Sequence, residues 1–262
     1  MGKAGLTWDY RAIVRQYLEA DSNLLDYDTG GGGVRAQCAA VRENVSASGD
    51  WFPRKKNSTG VKKVRNIFLH GLGQNETSWN QTRAHLLTHD VKIETPDLYA
   101  MARGRGTDYE ALFQAFTDYS NGFDDRLNLC GLSLGGILAL DYAKRFPDQV
   151  NSLILIGTPY EIPKLLFRLQ GILFHLTPKT AFEAMGCSKK EFLSLVESMR
   201  DLKISHGLEQ MRCKTLILCG ERDKPNADGA RRLNRQIRGS RLRFVDRASH
   251  EVNVDNPAEL SS

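Results

Sequence analysis

Residues 126–145 read RLNLC-GLSLG-GILALDYAKR, and this stretch decides the fold. A short run of alternating Leu and polar residues at 126–130 predicts a strand. Ala- and Leu-rich residues at 137–145 predict a helix directly after it. Between them, Gly131-Leu132-Ser133-Leu134-Gly135 matches the pattern G-x-S-x-G. A turn that tight forces the serine into a strained backbone state with its hydroxyl clear of the strands. Side chains at 131 and 135 would collide with a neighbouring strand or helix, which accounts for glycine at both. The helix that follows directs its positive end at the site and favours an anion there. By itself the pattern fits an ordinary tight turn with a capping serine about as well as a nucleophile, so its surroundings carry the weight.

Outward from this unit, apolar runs alternate with helical patterns from residue 64 onward. That rhythm predicts an α/β fold with a mostly parallel central sheet flanked by helices. Strands are expected at 64–70, 92–98 (ended by Pro96), 126–130, 150–156, 214–219 and 241–245. The 150–156 and 214–219 runs are the most apolar and belong at the sheet centre, and 241–245 alternates like a strand nearer an edge. Helices are expected near 80–88, 109–119 and 137–145. Residues 160 to about 212 break the rhythm with helical patterns at 162–176, 179–185, 189–202 and 207–212, read as a small cap inserted into the 64–262 domain. Ser188 and Glu191 form a capping box for the third of these. Leu165, Leu166, Phe167, Leu169, Ile172, Leu173 and Phe174 exceed one narrow stripe, which suits both burial against the sheet and a pocket lining. Residues 1–63 form an N-terminal segment of uncertain structure. Tyr10, Ile13, Val14, Tyr17 and Leu18 have helical spacing, residues 30–33 are a glycine tract, and 35–41 fit an edge strand.

Three further motifs stand at expected strand ends. His70-Gly71-Leu72-Gly73 follows the first strand. Small residues there let backbone N–H groups approach a developing negative charge, and the expected donors are the amides of Leu72 and Leu134. His70 reads as a structural residue whose ring fixes the loop. Gly220-Glu221-Arg222-Asp223-Lys224-Pro225 follows the 214–219 strand. In open α/β sheets the crevice lies at the carboxyl ends of the strands, so Asp223 would share it with Ser133. Glu221 is the near rival, expected to point the other way, and Glu161 the distant one. Ala248-Ser249-His250-Glu251 follows the last strand. An imidazole with an ordinary pKa near 6.5 can accept the serine proton at neutral pH, and a buried Asp would hold its tautomer.

Composition narrows the alternatives. The 262 residues carry a formal charge of +5. The basic excess lies in Arg54, Lys55, Lys56, Lys62, Lys63 and Arg65, and in Arg231, Arg232, Arg235, Arg238, Arg241 and Arg243. Without a nucleic-acid module or interleaved aromatics these read as solvated surface, so no nucleic-acid partner is expected. No apolar run approaches the roughly 20 residues of a membrane helix, and no secretory signal is visible. Cys38, Cys130, Cys187, Cys213 and Cys219 are scattered without a C-x-x-C pair, which argues against a disulfide framework and against zinc and favours free thiols in the cytoplasm. The sequons at Asn44 and Asn57 are then read as chance matches.

Together, residues 70–73, 131–135, 220–223 and 250–257 resemble the α/β-hydrolase superfamily, over a stretch from about residue 64 to 260. The order Ser, Asp, His along the chain is the one that superfamily uses. The resemblance implies Ser133 as nucleophile, Asp223 as acid, His250 as base and no cofactor or metal. It further implies a small-molecule, ester-like substrate, with carboxylesterase activity favoured. A thioesterase, a C–C bond hydrolase and a non-catalytic binding protein are the alternatives. A serine at 133 argues against the branches that use an aspartate nucleophile. The superfamily usually places two strands before the oxyanion loop and a full helix after the His. Residues 1–63 do not show the strands, and the helix begun at 256–260 stops at Ser262, so a shortened terminus with uncovered apolar sheet is expected.

Overall fold

The computed structural model describes residues 64–87, 91–161 and 177–260. The expected features of residues 1–63 and the apolar helix at 162–176 lie outside them. Six strands form one sheet: β1 (Val64–Leu69), β2 (Ile93–Glu94), β3 (Arg126–Leu132), β4 (Val150–Ile156), β5 (Lys214–Gly220) and β6 (Arg241–Val245). Their order is β2-β1-β3-β4-β5-β6, and every neighbouring pair is parallel. Chain reversal begins at β3, so β1 and β3 lie side by side and bring the 70–73 and 131–135 turns to adjacent strand ends.

The helices are α1 (Asn80–Leu87), α2 (Leu98–Ala102), α3 (Tyr109–Asn121), α4 (Leu134–Arg145), α5 (Lys179–Ala184), α6 (Lys189–Ser198), α7 (Lys224–Gln236), α8 (Val252–Asp255) and α9 (Pro257–Leu260). Because side chains alternate along a strand, a sheet covered on both faces needs apolar residues at every position. On one face Ile67, Leu69, Leu129, Leu153, Leu155 and Ile217 pack with α3 and α4 residues such as Phe116, Leu138 and Tyr142. On the other, Phe68, Cys130, Ile154, Ile156, Leu218 and Val245 pack with Trp79, Val252 and Leu260. The centre and edge assignments hold: β4 and β5 are flanked on both sides and β6 ends the sheet.

Several boundaries differ from the expected ones. β2 is two residues long, because Pro96 cannot donate to a ladder and the Asp97 side chain caps α2 through the amides of Tyr99 and Ala100. β3 runs on to Leu132 and α4 begins at Leu134, so Ser133 alone makes the turn. Within the cap region the Ser188–Glu191 capping box is present and α6 stops at Ser198, while residues 207–212 hold only a three-residue 3₁₀ turn, Leu208–Gln210. Among the described residues the sheet positions Leu216, Leu218 and Val245 are fully buried, in one cluster with Val252 and Leu260.

Candidate functional site

Ser133 has φ 51° and ψ −108°, a left-handed backbone that a non-glycine residue adopts only when its surroundings enforce it. The enforcement is visible. The Ser133 N–H donates to the Ile156 carbonyl of β4 at 2.8 Å, and the Ser133 carbonyl accepts from Ile137 N–H at 2.9 Å. A Cβ on Gly131 would overlap the backbone of Gly135, and one on Gly135 would run into the carbonyl of Leu69. Gly136, not singled out in the sequence, is equally closed, by the Thr158 side chain.

The loop after β1 is held by its own side chains. His70 is fully buried. Its Nε2 accepts from Leu98 N–H at 3.0 Å, so Nδ1 carries the proton and donates to the Gly71 carbonyl, also at 3.0 Å. This is the structural role expected for it. Gly73 N–H donates to the Tyr99 hydroxyl at 3.0 Å. Among the described residues the amides of Leu72 and Leu134 have no such partner; Leu134 opens α4, where the first N–H groups lack intrahelical acceptors.

Asp223 and His250 come together. His250 Nδ1 lies 2.8 Å from Asp223 Oδ2, with Asp223 buried and the imidazole partly exposed. Gly220 makes the approach possible: a Cβ there would strike the carbonyls of Ala248 and Ser249, the segment that delivers His250. Arg222 N–H donates to the Ala248 carbonyl at 2.9 Å and ties the two turns. Asn226 donates its amide to both Asp223 oxygens, at 2.9 and 3.0 Å. Burial pushes the Asp223 carboxyl up, but the bonds from His250 and Asn226 outweigh it and hold it below its ordinary value. Neither rival acid is available. Glu221 accepts from Arg247 N–H at 3.2 Å, and Glu161 pairs with Arg232 at 3.1 Å on the surface.

The Ser133 turn and the His250 ring each lie against the end of β4. Gly157 has φ 52°, and a Cβ on it would sit 3.1 Å from Cε1 and Nδ1 of His250. The imidazole therefore lies on Gly157, next in chain to the Ile156 carbonyl that anchors Ser133 N–H. Among the described residues the Ser133 hydroxyl has no hydrogen-bond partner, His250 included.

A buried amide pair joins the two loops. Gln74 Nε2 donates to Asn253 Oδ1 at 3.2 Å, and Asn253 Nδ2 donates to Gln74 Oε1 at 3.1 Å and to the Ser78 carbonyl at 3.2 Å. With Asn253 only 1% exposed, Asn253→Ala strands the Gln74 amide and is expected to destabilise the fold by about 1–3 kcal/mol. Urea denaturation should show a lower midpoint with an unchanged slope. Nothing short-range in the sequence could pair these two residues.

The Arg side chains of the second basic stretch are partly engaged: Arg231 stacks over Phe244 and Arg232 over Tyr160. No group of His, Cys, Asp and Glu among the described residues could hold a metal ion, and no described helix is long and apolar enough to cross a membrane.

A model of the alpha/beta hydrolase family matches residues 67–262. A pimeloyl-[acyl-carrier protein] methyl ester esterase of Aromatoleum aromaticum is 35% identical over 94 residues, 35% of this chain and 36% of that protein. A 2-hydroxy-6-oxo-2,4-heptadienoate hydrolase of Pseudomonas putida is 30% identical over 99 residues, 35% of this chain and 36% of that protein. The match thus spans about a third of the length of either relative. Among solved structures, a hydrolase of Pseudomonas aeruginosa superposes with TM-score 0.64 at 18% identity, covering 78% of this chain and 89% of that one.

Proposed function

Since the chain belongs to the alpha/beta hydrolase family, we propose that it is a serine hydrolase cleaving an ester or related acyl bond of a small to medium apolar substrate, without a cofactor. The observation that carries this reading is the 2.8 Å Asp223–His250 pair resting on Gly157, beside the strained turn at Ser133. Ser133 Oγ attacks the substrate carbonyl carbon while His250 Nε2 takes its proton. The resulting oxyanion lies against the free N–H groups of Leu72 and Leu134. That Tyr99 occupies the Gly73 amide favours Leu72 as the donor from this loop. Collapse breaks the acyl–oxygen bond, and the imidazolium returns its proton to the departing alcohol. Water, deprotonated by His250, then attacks the acyl-enzyme, releases the acid and restores Ser133. Asp223 accepts from Nδ1–H throughout, which fixes the tautomer and stabilises the imidazolium without itself taking the proton.

Unpaired, buried thiols at Cys130, Cys187 and Cys219 support a cytoplasmic setting. Turnover of p-nitrophenyl esters of increasing acyl length tests the reading. The expected result is activity on short and medium chains that falls for long ones; no turnover of any ester or thioester would contradict it. The likeness to the Pseudomonas putida enzyme favours C–C bond hydrolysis as the second reading, for which a 2-hydroxy-6-oxo-dienoate is the diagnostic substrate.

A further inference from the structure

We propose that Asn226 is a positioning residue that holds the Asp223 carboxylate against His250 by chelating both of its oxygens. The inference rests on the Ser133–His250–Asp223 reading above. Asn226 stands in the first turn of α7, its N–H bonded to the Asp223 carbonyl at 3.2 Å, so its side chain returns over the carboxylate. Nδ2 lies 2.9 Å from Oδ1, 3.0 Å from Oδ2 and 3.2 Å from His250 Nδ1. Two carboxylate oxygens at that range require the NH₂ end of the amide, because its oxygen would meet them with like partial charge. His250 Nδ1 donates to the same Oδ2, so Nδ1 and Nδ2 are two donors on one oxygen and do not bond to each other.

Both consequences for the imidazole have the same sign. The carboxylate shares its charge with Asn226 and attracts the imidazolium less. The partial positive charge of the Asn226 NH₂, 3.2 Å from Nδ1, also disfavours a second proton on the ring. Removing Asn226 should therefore change the pH dependence carried by the Asp223–His250 pair.

The surrounding charges leave this arrangement undisturbed. From β5, Cys219 Sγ approaches the Asp223 carbonyl at 3.7 Å, and burial, aided by the Asp223 charge, pushes that thiol up to about 12, so it stays neutral. Arg222 and Lys224 flank Asp223 in the chain but are exposed, as is Glu251 beside His250. From the segment after β6, Asp255 is taken up by Ser249 N–H at 2.7 Å. From the segment after β4, Gly157 lies against the ring. Asn226 itself is only partly buried, so it is replaceable without opening the core.

The test compares wild type with Asn226→Ala, Asn226→Leu and Asn226→Asp. The acid limb of kcat/KM reports the essential base of the free enzyme, and an NMR titration of His250 follows the same proton without needing a substrate. Ala and Leu are expected to move both upward by about half to one pH unit. Asp, which places a second carboxylate beside the pair, should move them further. An acid limb and an NMR titration that stay at the wild-type pH in both Ala and Leu, at unchanged melting temperature, would overturn the proposal. Failure of the serine-hydrolase reading would look different: activity would survive His250→Ala, whatever Asn226 does.

Discussion

Ser133→Ala is expected to reduce kcat on a p-nitrophenyl ester by at least about 10⁴-fold, a loss typical of removing a serine nucleophile. The reason is covalent. Without Oγ no acyl-enzyme forms, and His250 has only water to activate. What survives is the stabilisation offered by the Leu72 and Leu134 amides and by binding alone. The backbone supplies the control. Alanine keeps a Cβ at φ 51°, so the strain at 133 is unchanged and the melting temperature should be too. A Ser133→Ala protein that folds as wild type and retains its turnover would remove this residue from the chemistry.

Asp223→Asn is expected to lower kcat by about 10⁴-fold while leaving the fold intact. The carboxylate accepts two sets of donors at once, His250 Nδ1–H and the Asn226 amide. A carboxamide has one oxygen for both, and its NH₂ would face a donor. The imidazole then loses either its tautomer or its orientation. A pH signature accompanies the loss. The Asp223 carboxyl is held below its ordinary value in the folded chain, so its contribution to stability is present above the unfolded carboxyl pKa, near 3.9, and lost as pH falls through the lower folded value. The stability gap between wild type and Asp223→Asn should therefore narrow below about pH 4. Urea midpoints measured at pH 7 and at pH 3 check this, and a gap that widens in acid would contradict it.

How much of this was legible in the sequence follows the range of the interactions. Strands buried on both faces announce themselves as unbroken apolar runs, so β1, β4 and β5 were readable. The strand–serine–helix unit was readable too, because glycine at 131 and 135 is a local demand. The helix α7 was not. Its interior offers only Ala230 and Leu233 to the core among polar and basic residues, so its pattern reads as surface. Asn226 was missed with it, although its position three residues after Asp223 is a helical neighbour's spacing. The two-residue β2 was overextended because Pro96 and Asp97 end pairing earlier than the apolar pattern does. Gly157 and Gly220 look like ordinary loop glycines until the segment carrying His250 is seen lying across both. The Gln74–Asn253 pair spans the domain, and only tertiary packing creates it.

The central claim is that Ser133, His250 and Asp223 act as one unit, although the Ser133 hydroxyl is not hydrogen-bonded to His250 in this structure. Reaction with a fluorophosphonate probe, followed by peptide mass spectrometry, tests it most directly. The expected result is a single covalent adduct on Ser133 whose rate of formation collapses in His250→Ala. An adduct elsewhere, or one on Ser133 that forms equally fast without the imidazole, would contradict the account.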